Sequence, residues 1–354
     1  MKRALSFILV IFTMLLFFSG CSGTKADEKE FRREFYSMDT VVVIRILDTS
    51  GISDEEGEAI LDAAEGAFEA VAARVTRFPK TDSEKAESEI WAINENAGVA
   101  PVHVSDEVWY LITTALHYGE ITGGRLNIVM GAMSDLWGFS TQDYRVPSDE
   151  EIEETLDICR LSDVVINEAE HTVYLKKAGM KMDLGAVSKG YATDVMVSVL
   201  ESMGVKSAII DAGGNIGALG AKPDGSKWVV GIQHPRNTSD IAGKVSVSSQ
   251  YVVSSGDYQR YFEENGVRYC HIFDPDTGCP INGASASAIV CNDGMTADIL
   301  STSFIIMGGD DALRFTQENP EFSDICWLLM YEDEDGGIYF EESETMKELF
   351  EENQ

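Results

Sequence analysis

Basic residues are scarce in this chain. Its 354 residues include 27 Lys and Arg against 60 Asp and Glu, which gives a formal net charge of −33 at pH 7. A surface with this charge repels the phosphates of nucleic acids and the head groups of anionic lipids. We therefore expect no nucleic-acid partner, and any attachment to a membrane must come from something other than a basic patch.

Cysteines are few, and none of the six stands in a CxxC pair. Five of them follow Cys21, and an odd set without close spacing does not predict a disulfide framework. We expect mostly small buried residues, with Cys270 and Cys279 as one candidate pair. The GxxxxGK[ST] pattern of a P-loop and any internal repeat are also missing, which excludes a P-loop nucleotide site and a repeat architecture.

Long apolar runs are missing as well, because residues 4–18 are fewer than the roughly 20 that a membrane-spanning helix needs. This run follows Lys2 and Arg3 and leads to FSGC at Cys21, which is the order of a secretory signal. A cysteine after Ser-Gly resembles the lipobox of bacterial lipoproteins. An uncleaved anchor or an ordinary signal peptide is the alternative. We expect a signal peptide over residues 1–20, lipid on Cys21, a tether over residues 21–35 and one domain over residues 36–354, held on the extracytoplasmic face of a bacterial cell membrane.

The chain does contain a mixture of strand and helix patterns. Residues 40–47, TVVVIRIL, are β-branched and apolar and predict a buried strand, whereas residues 55–75 carry apolar side chains at helical spacing. Ser105 is typical of a helix N-cap, and the charged residues 79–87 indicate a loop. Strands and helices follow one another without regular βαβ alternation. This order favours the α+β class, with mixed or antiparallel sheets and packed helices.

Two oxygen-bearing side chains lie four residues apart in ADILST. Asp298 and Thr302 share one face of a predicted helix. A carboxylate and a hydroxyl suit Mg²⁺, which prefers oxygen ligands and shares its coordination shell with substrate phosphates. Taken alone, such a pair is more often a helix cap and a solvent contact.

Two glycine-containing segments could approach a ligand. Lys189 follows a glycine turn in DLGAVSKG, just inside a predicted helix, and free N–H groups with a lysine at a helix start suit a phosphate. The glycines of DAGGN, at residues 211–215, would let a ligand come close to the backbone, although a tight turn explains them equally well.

His271 stands after the predicted strand RYC and before FDPDTGCP. The Asp, Pro and Gly residues of this segment predict rigid turns. A histidine fixed beside them can accept a proton near neutral pH. The alternative is a structural histidine that is hydrogen-bonded to a neighbouring aspartate.

These motifs occur in the order of a known family. The chain contains, in succession, SEIWAIN, NIVMGAMSDLWGF, DLGAVSKGYATD, DAGGNIGALG, SSGDYQRYF, HIFDPDTGCP and TADILST. In this it resembles the FAD:protein FMN transferases, the ApbE-like flavin transferases, over residues 38–309. The strings DLGAVSKGY, HIFDPDTG and ADILST are together highly specific. Many members are bacterial lipoproteins, in agreement with Cys21.

The resemblance implies an activity, a cofactor and partners. Family members bind FAD and Mg²⁺ and transfer the FMN half of FAD to a threonine or serine of a target protein, and AMP leaves. Targets are typically subunits of membrane redox complexes. Two alternatives remain open: hydrolysis of FAD to FMN and AMP, and a lipoprotein that binds flavin without chemistry.

The resemblance also implies roles for single residues. Mg²⁺ would be bound by the carbonyl of Ala186 and by Asp298, Thr302 and Ser301, and His271 would take the proton of the acceptor hydroxyl. FAD contacts would fall on Met38, Asp183, Lys189 and Ile272, with Phe78 over the flavin ring. Arg125, Leu126 and Asn127 match the family's Ala-Phe-Asp segment, with an amide in place of the carboxylate. Residues 282–287, NGASAS, loosely resemble flavinylated sequences, and we interpret them as a turn into a strand.

Overall fold

The computed structural model describes residues 29–48 and 50–353, so the predicted signal peptide and Cys21 lie outside the described residues. The strands are β1 (Lys29–Ser37), β2 (Thr40–Asp48), β3 (Val102–His103), β4 (Val164–Asn167), β5 (Thr172–Leu175), β6 (Ala208–Ala212), β7 (Asn215–Leu219), β8 (Trp228–Gln233), β9 (Ile241–Val247), β10 (Tyr251–Gly256), β11 (Tyr261–Glu264), β12 (Val267–Cys270), β13 (Ala286–Cys291), β14 (Cys326–Glu332), β15 (Ile338–Glu342) and β16 (Phe350–Glu352).

Eight of these strands form a central antiparallel sheet in the order β1-β2-β6-β7-β10-β13-β14-β15. Smaller antiparallel sheets are β16-β9-β8, β3-β5-β4 and the hairpin β11-β12. Antiparallel neighbours need no helical crossover, which is why the sequence lacks βαβ alternation. The predicted α+β class is confirmed, and the chain folds as a single domain.

The helices are α1 (Asp54–Val75), α2 (Asp82–Glu87), α3 (Glu89–Glu95), α4 (Asp106–Ile121), α5 (Gly131–Leu136), α6 (Asp149–Leu156), α7 (Ser188–Ser202), α8 (Gly294–Met307), α9 (Gly309–Glu318) and α10 (Glu344–Lys347). Ser105 caps α4 as predicted, because its side chain accepts the N–H of Val108. Within the described ranges, no helix has both the length and the apolarity needed to cross a bilayer.

The two faces of the central sheet are covered differently. Helices α1, α7 and α8 bury one face, with Phe68, Met196 and Leu300 in the apolar core. The β16-β9-β8 sheet covers the other face, where Trp228 and Val247 are buried. This arrangement brings the start of α7 and the middle of α8 together on one side of the sheet, which is where the candidate site forms.

Two predictions of local structure are wrong. Residues 29–35 of the expected tether belong to β1, which pairs with β2 along its whole length and buries Phe31 between charged neighbours. The charged residues 79–87, taken as a loop, include α2, which Thr81 caps by accepting the N–H of Glu84. α2 buries none of its residues, so it gives no apolar periodicity for a sequence pattern to detect.

The candidate disulfide is also wrong. All five cysteines of the described ranges are free thiols. Cys270 belongs to the main apolar core, whereas Cys279 packs against a separate aromatic cluster around Trp137. The two side chains therefore lie in different apolar clusters, and the expectation of mostly small buried residues holds for Cys159, Cys270 and Cys291.

Candidate active site

Asp298 lies where α7 crosses α8. Gly190 makes the close approach of the helices feasible, because a Cβ at that position would lie 2.2 Å from the Gly294 carbonyl oxygen and 2.7 Å from the Asp298 Cβ. The Asp298 side chain is buried, and its Oδ2 accepts the N–H of Gly190 at 2.9 Å. The carboxylate is therefore fixed against the first turn of α7.

Two oxygen atoms beside this hydrogen bond have no donor within the described part of the chain. Gly190 is the third residue of α7, so its N–H has no acceptor within the helix, and Asp298 supplies one. No donor from the described residues reaches the Ala186 carbonyl or the Asp298 Oδ1. Two negatively polarised oxygens are left for a cation, as the prediction for Ala186 and Asp298 requires.

Thr302 and Ser301 differ in what their hydroxyls can do. The Ser301 Oγ is fully buried, donates to the Asp298 carbonyl at 2.8 Å and lies 2.7 Å from the Ser255 Oγ. Since its single proton is used, it accepts from Ser255. The Thr302 Oγ1 is half-buried and lies 3.4 Å from the Ser255 Oγ. The geometry thus favours Thr302 as a cation ligand and gives Ser301 internal partners.

These oxygens suit magnesium rather than a metal that needs many charged ligands. Within residues 29–48 and 50–353, no group of three or more His, Cys, Asp or Glu could hold a metal ion. The set formed by Ala186, Asp298 and Thr302 contains one carboxylate, and Mg²⁺ commonly uses only one or two while water and substrate phosphates complete its shell. The residues fit the ion, and their role as ligands stays a prediction.

Positive charge gathers at the start of α7. The N-cap residue Val187 supplies no capping side chain, and the Asp298 carboxylate accepts one of the first N–H groups of the helix. Lys189 lies in the first turn, and its Nζ donates to the Gly185 carbonyl at 2.9 Å. To bind a phosphate, the Lys189 Nζ would leave the Gly185 carbonyl and donate to a phosphate oxygen instead. This role of Lys189 stays a prediction.

His271 is held by a single carbonyl oxygen. The Arg260 carbonyl accepts the backbone N–H of His271 at 3.1 Å and lies 3.2 Å from its Nδ1. A carbonyl can only accept, so Nδ1 carries the proton in the neutral ring. The lone pair is therefore on Nε2, which is the form that a proton acceptor needs.

The surroundings of His271 keep its ring neutral. Burial lowers the pKa of His271 to about 3, and the charges of Arg260 and Lys189 act in the same direction, whereas Asp183 opposes them. The influence of Lys189 and Asp183 places His271 in the same region as the start of α7. The alternative, a hydrogen bond from His271 to a neighbouring aspartate, is not found among the described residues, and the bond is to the Arg260 carbonyl instead.

Sequence reasoning missed Arg77, which organises the other side of this region. Its buried side chain, 5% exposed, pairs with Asp183 at 2.7 Å and Asp135 at 2.9 Å and donates to the Gly131 carbonyl at 3.2 Å. Burial opposes its charge, but the two carboxylates outweigh it and raise the pKa of Arg77. In the sequence, nothing except the position of this arginine directly before Phe78 indicated such a role.

Two predicted flavin contacts lie at the ends of loops. Phe78 is 51% exposed, and the Arg77 guanidinium carbon lies 4.9 Å from its ring centroid. Met38 occupies the turn between β1 and β2 with φ of 45°. That turn packs on the DAGGN turn, because a Cβ at Gly213 would lie 2.0 Å from the Thr40 Oγ1. An exposed aromatic ring and a tight glycine turn both suit a flat ligand.

Other predicted contacts have side chains turned inward. Leu126 and Ile272 are buried in the core. Asn127 donates to the Cys159 carbonyl at 2.8 Å and accepts the N–H of Val129 at 2.9 Å. These side chains hold the loops in shape, and a contact with FAD at the three positions stays a prediction.

Arg125 supports the segment that follows His271. Its Nη1 lies 3.1 Å from Asp274 and 2.8 Å from Asp276. Asp274 also accepts the N–H of Asp276 and thereby closes the turn. Arg125 is thus tied to the predicted rigid turn rather than free to reach a ligand.

Residues 282–287 form a turn that leads into β13. The Ser285 Oγ accepts from Arg236 at 2.7 Å, and the Ser287 Oγ donates to the Ser301 carbonyl at 2.7 Å. Both serines are buried at the start of the segment that continues into β13. The interpretation as a turn into a strand is confirmed.

Arg77→Leu is expected to lower both the melting temperature and the affinity for FAD. The substitution leaves Asp183 without its cation and Asp135 with Lys181 alone. The cost is on the order of 2 kcal/mol, less than for fully buried pairs because both carboxylates reach solvent. Thermal melts and titration of FAD fluorescence would measure the two effects, with Arg74→Leu from the same region as control. An unchanged melting temperature would show that Arg77 does not stabilise this region.

In sequence, residues 38–326 match the model of the ApbE family. The FAD:protein FMN transferase of Treponema pallidum is 36% identical over 249 residues, which are 66% of this chain and 69% of the relative. The FAD:protein FMN transferase of Vibrio cholerae is 28% identical over 332 residues, which are 93% and 94% of the two chains.

In structure, the crystal structure of the ApbE protein of Thermotoga maritima superposes with a TM-score of 0.80 and 31% identity, covering 92% of this chain and all of the other. The flavin transferase ApbE of Vibrio cholerae gives a TM-score of 0.78 at 25% identity, covering 91% and 99%. Sequence and fold agree over most of both proteins, and the chain belongs to the ApbE family.

Proposed function

We propose that this chain transfers the FMN part of FAD to a serine or threonine hydroxyl of another protein and releases AMP. The observation that carries the proposal is the fixed tautomer of His271, which keeps the lone pair on Nε2 near Lys189 and Asp183. Membership of the ApbE family supports the choice of reaction, since curated relatives are named FAD:protein FMN transferases.

The reaction exchanges one phosphorus–oxygen bond for another. The acceptor oxygen bonds to the phosphorus of the FMN half, and the bond from that phosphorus to the bridging oxygen breaks. AMP leaves with the bridging oxygen, and the proton of the acceptor hydroxyl goes to Nε2 of His271. Such transfers depend on positioning and charge neutralisation more than on covalent help from the enzyme. A positioned base typically adds about 10²–10⁴-fold to the rate.

Ala186, Asp298 and Thr302 would hold Mg²⁺, and Ser301 would steady them through its bonds to the Asp298 carbonyl and Ser255. When bound, Mg²⁺ supplies neutralisation of the charge that gathers on the phosphates. Lys189 would add positive potential from the protein itself. This local charge would let an otherwise acidic protein accept an anionic dinucleotide.

A transfer assay tests the function. Residues 22–354 would be incubated with FAD and MgCl₂, with and without candidate threonine-containing domains of membrane redox complexes. A domain that becomes fluorescent in a denaturing gel, together with AMP release, supports transfer. FMN and AMP in equal amounts whether or not a domain is present would instead identify an FAD pyrophosphatase. Bound FAD without AMP would identify a flavin-binding lipoprotein.

We also propose that the protein is exported and anchored through lipid on Cys21, on the basis of the order of residues in its first 21 positions. Cys21→Ala should move most of the protein out of the membrane fraction or leave the precursor uncleaved. Membrane fractionation and metabolic labelling with a fatty acid would measure this, with Cys326→Ala as the matched control. Equal labelling of both variants would contradict the anchor.

A further inference from the structure

The hairpin of β11 and β12 carries His271 at its base. β11 begins after Arg260, and β12 ends directly before His271. Asn265 and Gly266 connect the strands with φ of 53° and 77°, as a two-residue hairpin turn of type I′ requires. The hairpin is a two-stranded sheet of its own, separate from the central sheet.

The register fixes which backbone groups of β11 point outward. The N–H of His271 donates to the Arg260 carbonyl, so Arg260 faces the second strand. Because this direction alternates along an antiparallel strand, the N–H and C=O groups of Tyr261 and Glu263 point away from β12. Within the described residues no backbone hydrogen bond reaches these outward groups, and both residues are exposed.

One face of the hairpin is already packed. Tyr144 stacks on Phe262 with ring centroids 5.2 Å apart, Phe262 stacks on Tyr269 at 5.1 Å, and Tyr269 lies 5.4 Å from Trp137. His271 follows Tyr269 by two residues and therefore lies on the same face. The aromatic rings hold the hairpin in place and leave its edges, rather than this face, for a partner.

The β11 edge lies beside the candidate site, whereas at the end of β12 the side chain of Cys270 is buried in the core. On the β11 side the next outward residue before Tyr261 is Gln259, whose Nε2 donates to the Ser254 carbonyl at 3.3 Å. The same Nε2 lies 3.8 Å from the position of a Cβ at Gly214, in the DAGGN turn. The open edge thus runs from that turn along β11.

We propose that an extended segment of the acceptor protein pairs with the outer edge of β11 and continues past the start of that strand, where its hydroxyl can reach His271. The inference rests on the proposed function, because only transfer to a protein requires a polypeptide at this place. Tyr261 and Glu263 offer two N–H and two C=O groups to such a segment. Main-chain pairing of this kind gives affinity that depends little on the side chains of the segment.

A proline substitution tests the pairing. Glu263→Pro removes an outward N–H without touching the bonds between β11 and β12, and an edge strand tolerates proline there. Glu263→Ala removes the same side chain but keeps the N–H and is the matched control. With the domain labelled in the transfer assay, the proline variant should raise KM for that domain on the order of tenfold, while kcat stays within about twofold. Equal KM values for the two variants would overturn the proposal.

Amide hydrogen exchange gives a second measurement that needs no variant. Addition of the labelled domain to the wild-type protein should slow exchange at Tyr261 and Glu263 by on the order of tenfold or more. If the proline variant fails to bind FAD, this measurement decides: unprotected amides overturn the pairing. If the wild type labels no domain at all, the proposed function fails and the docking proposal falls with it.

Discussion

His271→Asn should lower the rate constant for FMN transfer by on the order of 10²-fold or more, with FAD affinity changed by less than about threefold. The asparagine amide can still donate to the Arg260 carbonyl, as Nδ1 does now. It cannot take a proton at neutral pH, so the loss falls on the chemical step. Single-turnover transfer and FAD titration would be measured in parallel.

The matched control is His117→Asn, which changes an exposed histidine of α4. It should leave transfer, FAD affinity and melting temperature near their wild-type values. A structural role for His271 predicts a different pattern, in which all three fall together. Near-normal transfer by His271→Asn would rule out the base.

The pH profile follows from the lowered pKa of His271. The neutral form of the ring is the one that accepts a proton. This form is lost only as pH falls through the folded-state pKa of about 3. The profile of kcat/KM for FAD should therefore show no histidine step between pH 8 and about pH 5, although an unperturbed histidine would give one near 6.5. The unfolded chain binds this proton more readily than the folded protein does. The contribution of neutral His271 to stability is therefore fully present above about pH 6.5 and declines as the pH falls towards 3.

Asp298→Asn should reduce transfer by on the order of 10²–10³-fold, because a bound metal ion contributes several kcal/mol to stabilising the transition state. The amide oxygen can still accept the N–H of Gly190, so α7 and α8 should stay docked. The flavin and adenine have contacts of their own, so FAD should still bind. Transfer rate, FAD affinity and their dependence on MgCl₂ would be measured together.

Asp310→Asn, an exposed carboxylate on α9, is the control for the loss of one negative charge. It should transfer FMN at the wild-type rate and show the same dependence on MgCl₂. Full activity of the wild type in EDTA would reject the cation site altogether. Loss of FAD binding in Asp298→Asn would show that the carboxylate supports the fold of the pocket rather than the reaction.

Local patterns in the sequence predicted much of the fold but little of how the site is held. The amphipathic α1, the Ser105 cap and the strand of residues 40–47 follow from periodicity and capping. β1 was missed because five of its nine residues are charged, KEFRREFYS, and only its pairing with β2 makes it a strand. Propensity is weak evidence where tertiary pairing decides.

In the candidate site too, tertiary contacts decide what local sequence patterns could not predict. Family resemblance implied Ala186 and Asp298 as ligands, but the Asp298 carboxylate is fixed beside the start of α7 by a bond from Gly190, which is 108 positions away in the chain. Arg77 and Asp183 are 106 positions apart, and no local pattern links them. The tautomer of His271 depends on Arg260, 11 positions earlier, through a hairpin register that the sequence alone did not fix.

The contact between Gly190 and Asp298 also has a consequence for folding. The proposed ligands for a cation come from α8 and from the segment just before α7, so the proposed site would not exist until α7 has docked on α8. Helices can form within about a microsecond, whereas contacts between distant segments come later because of the entropy of closing the loop. A partly folded molecule with both helices in place would bind no catalytic metal ion. On the proposed mechanism, turnover of FAD would be confined to molecules that have completed their tertiary structure.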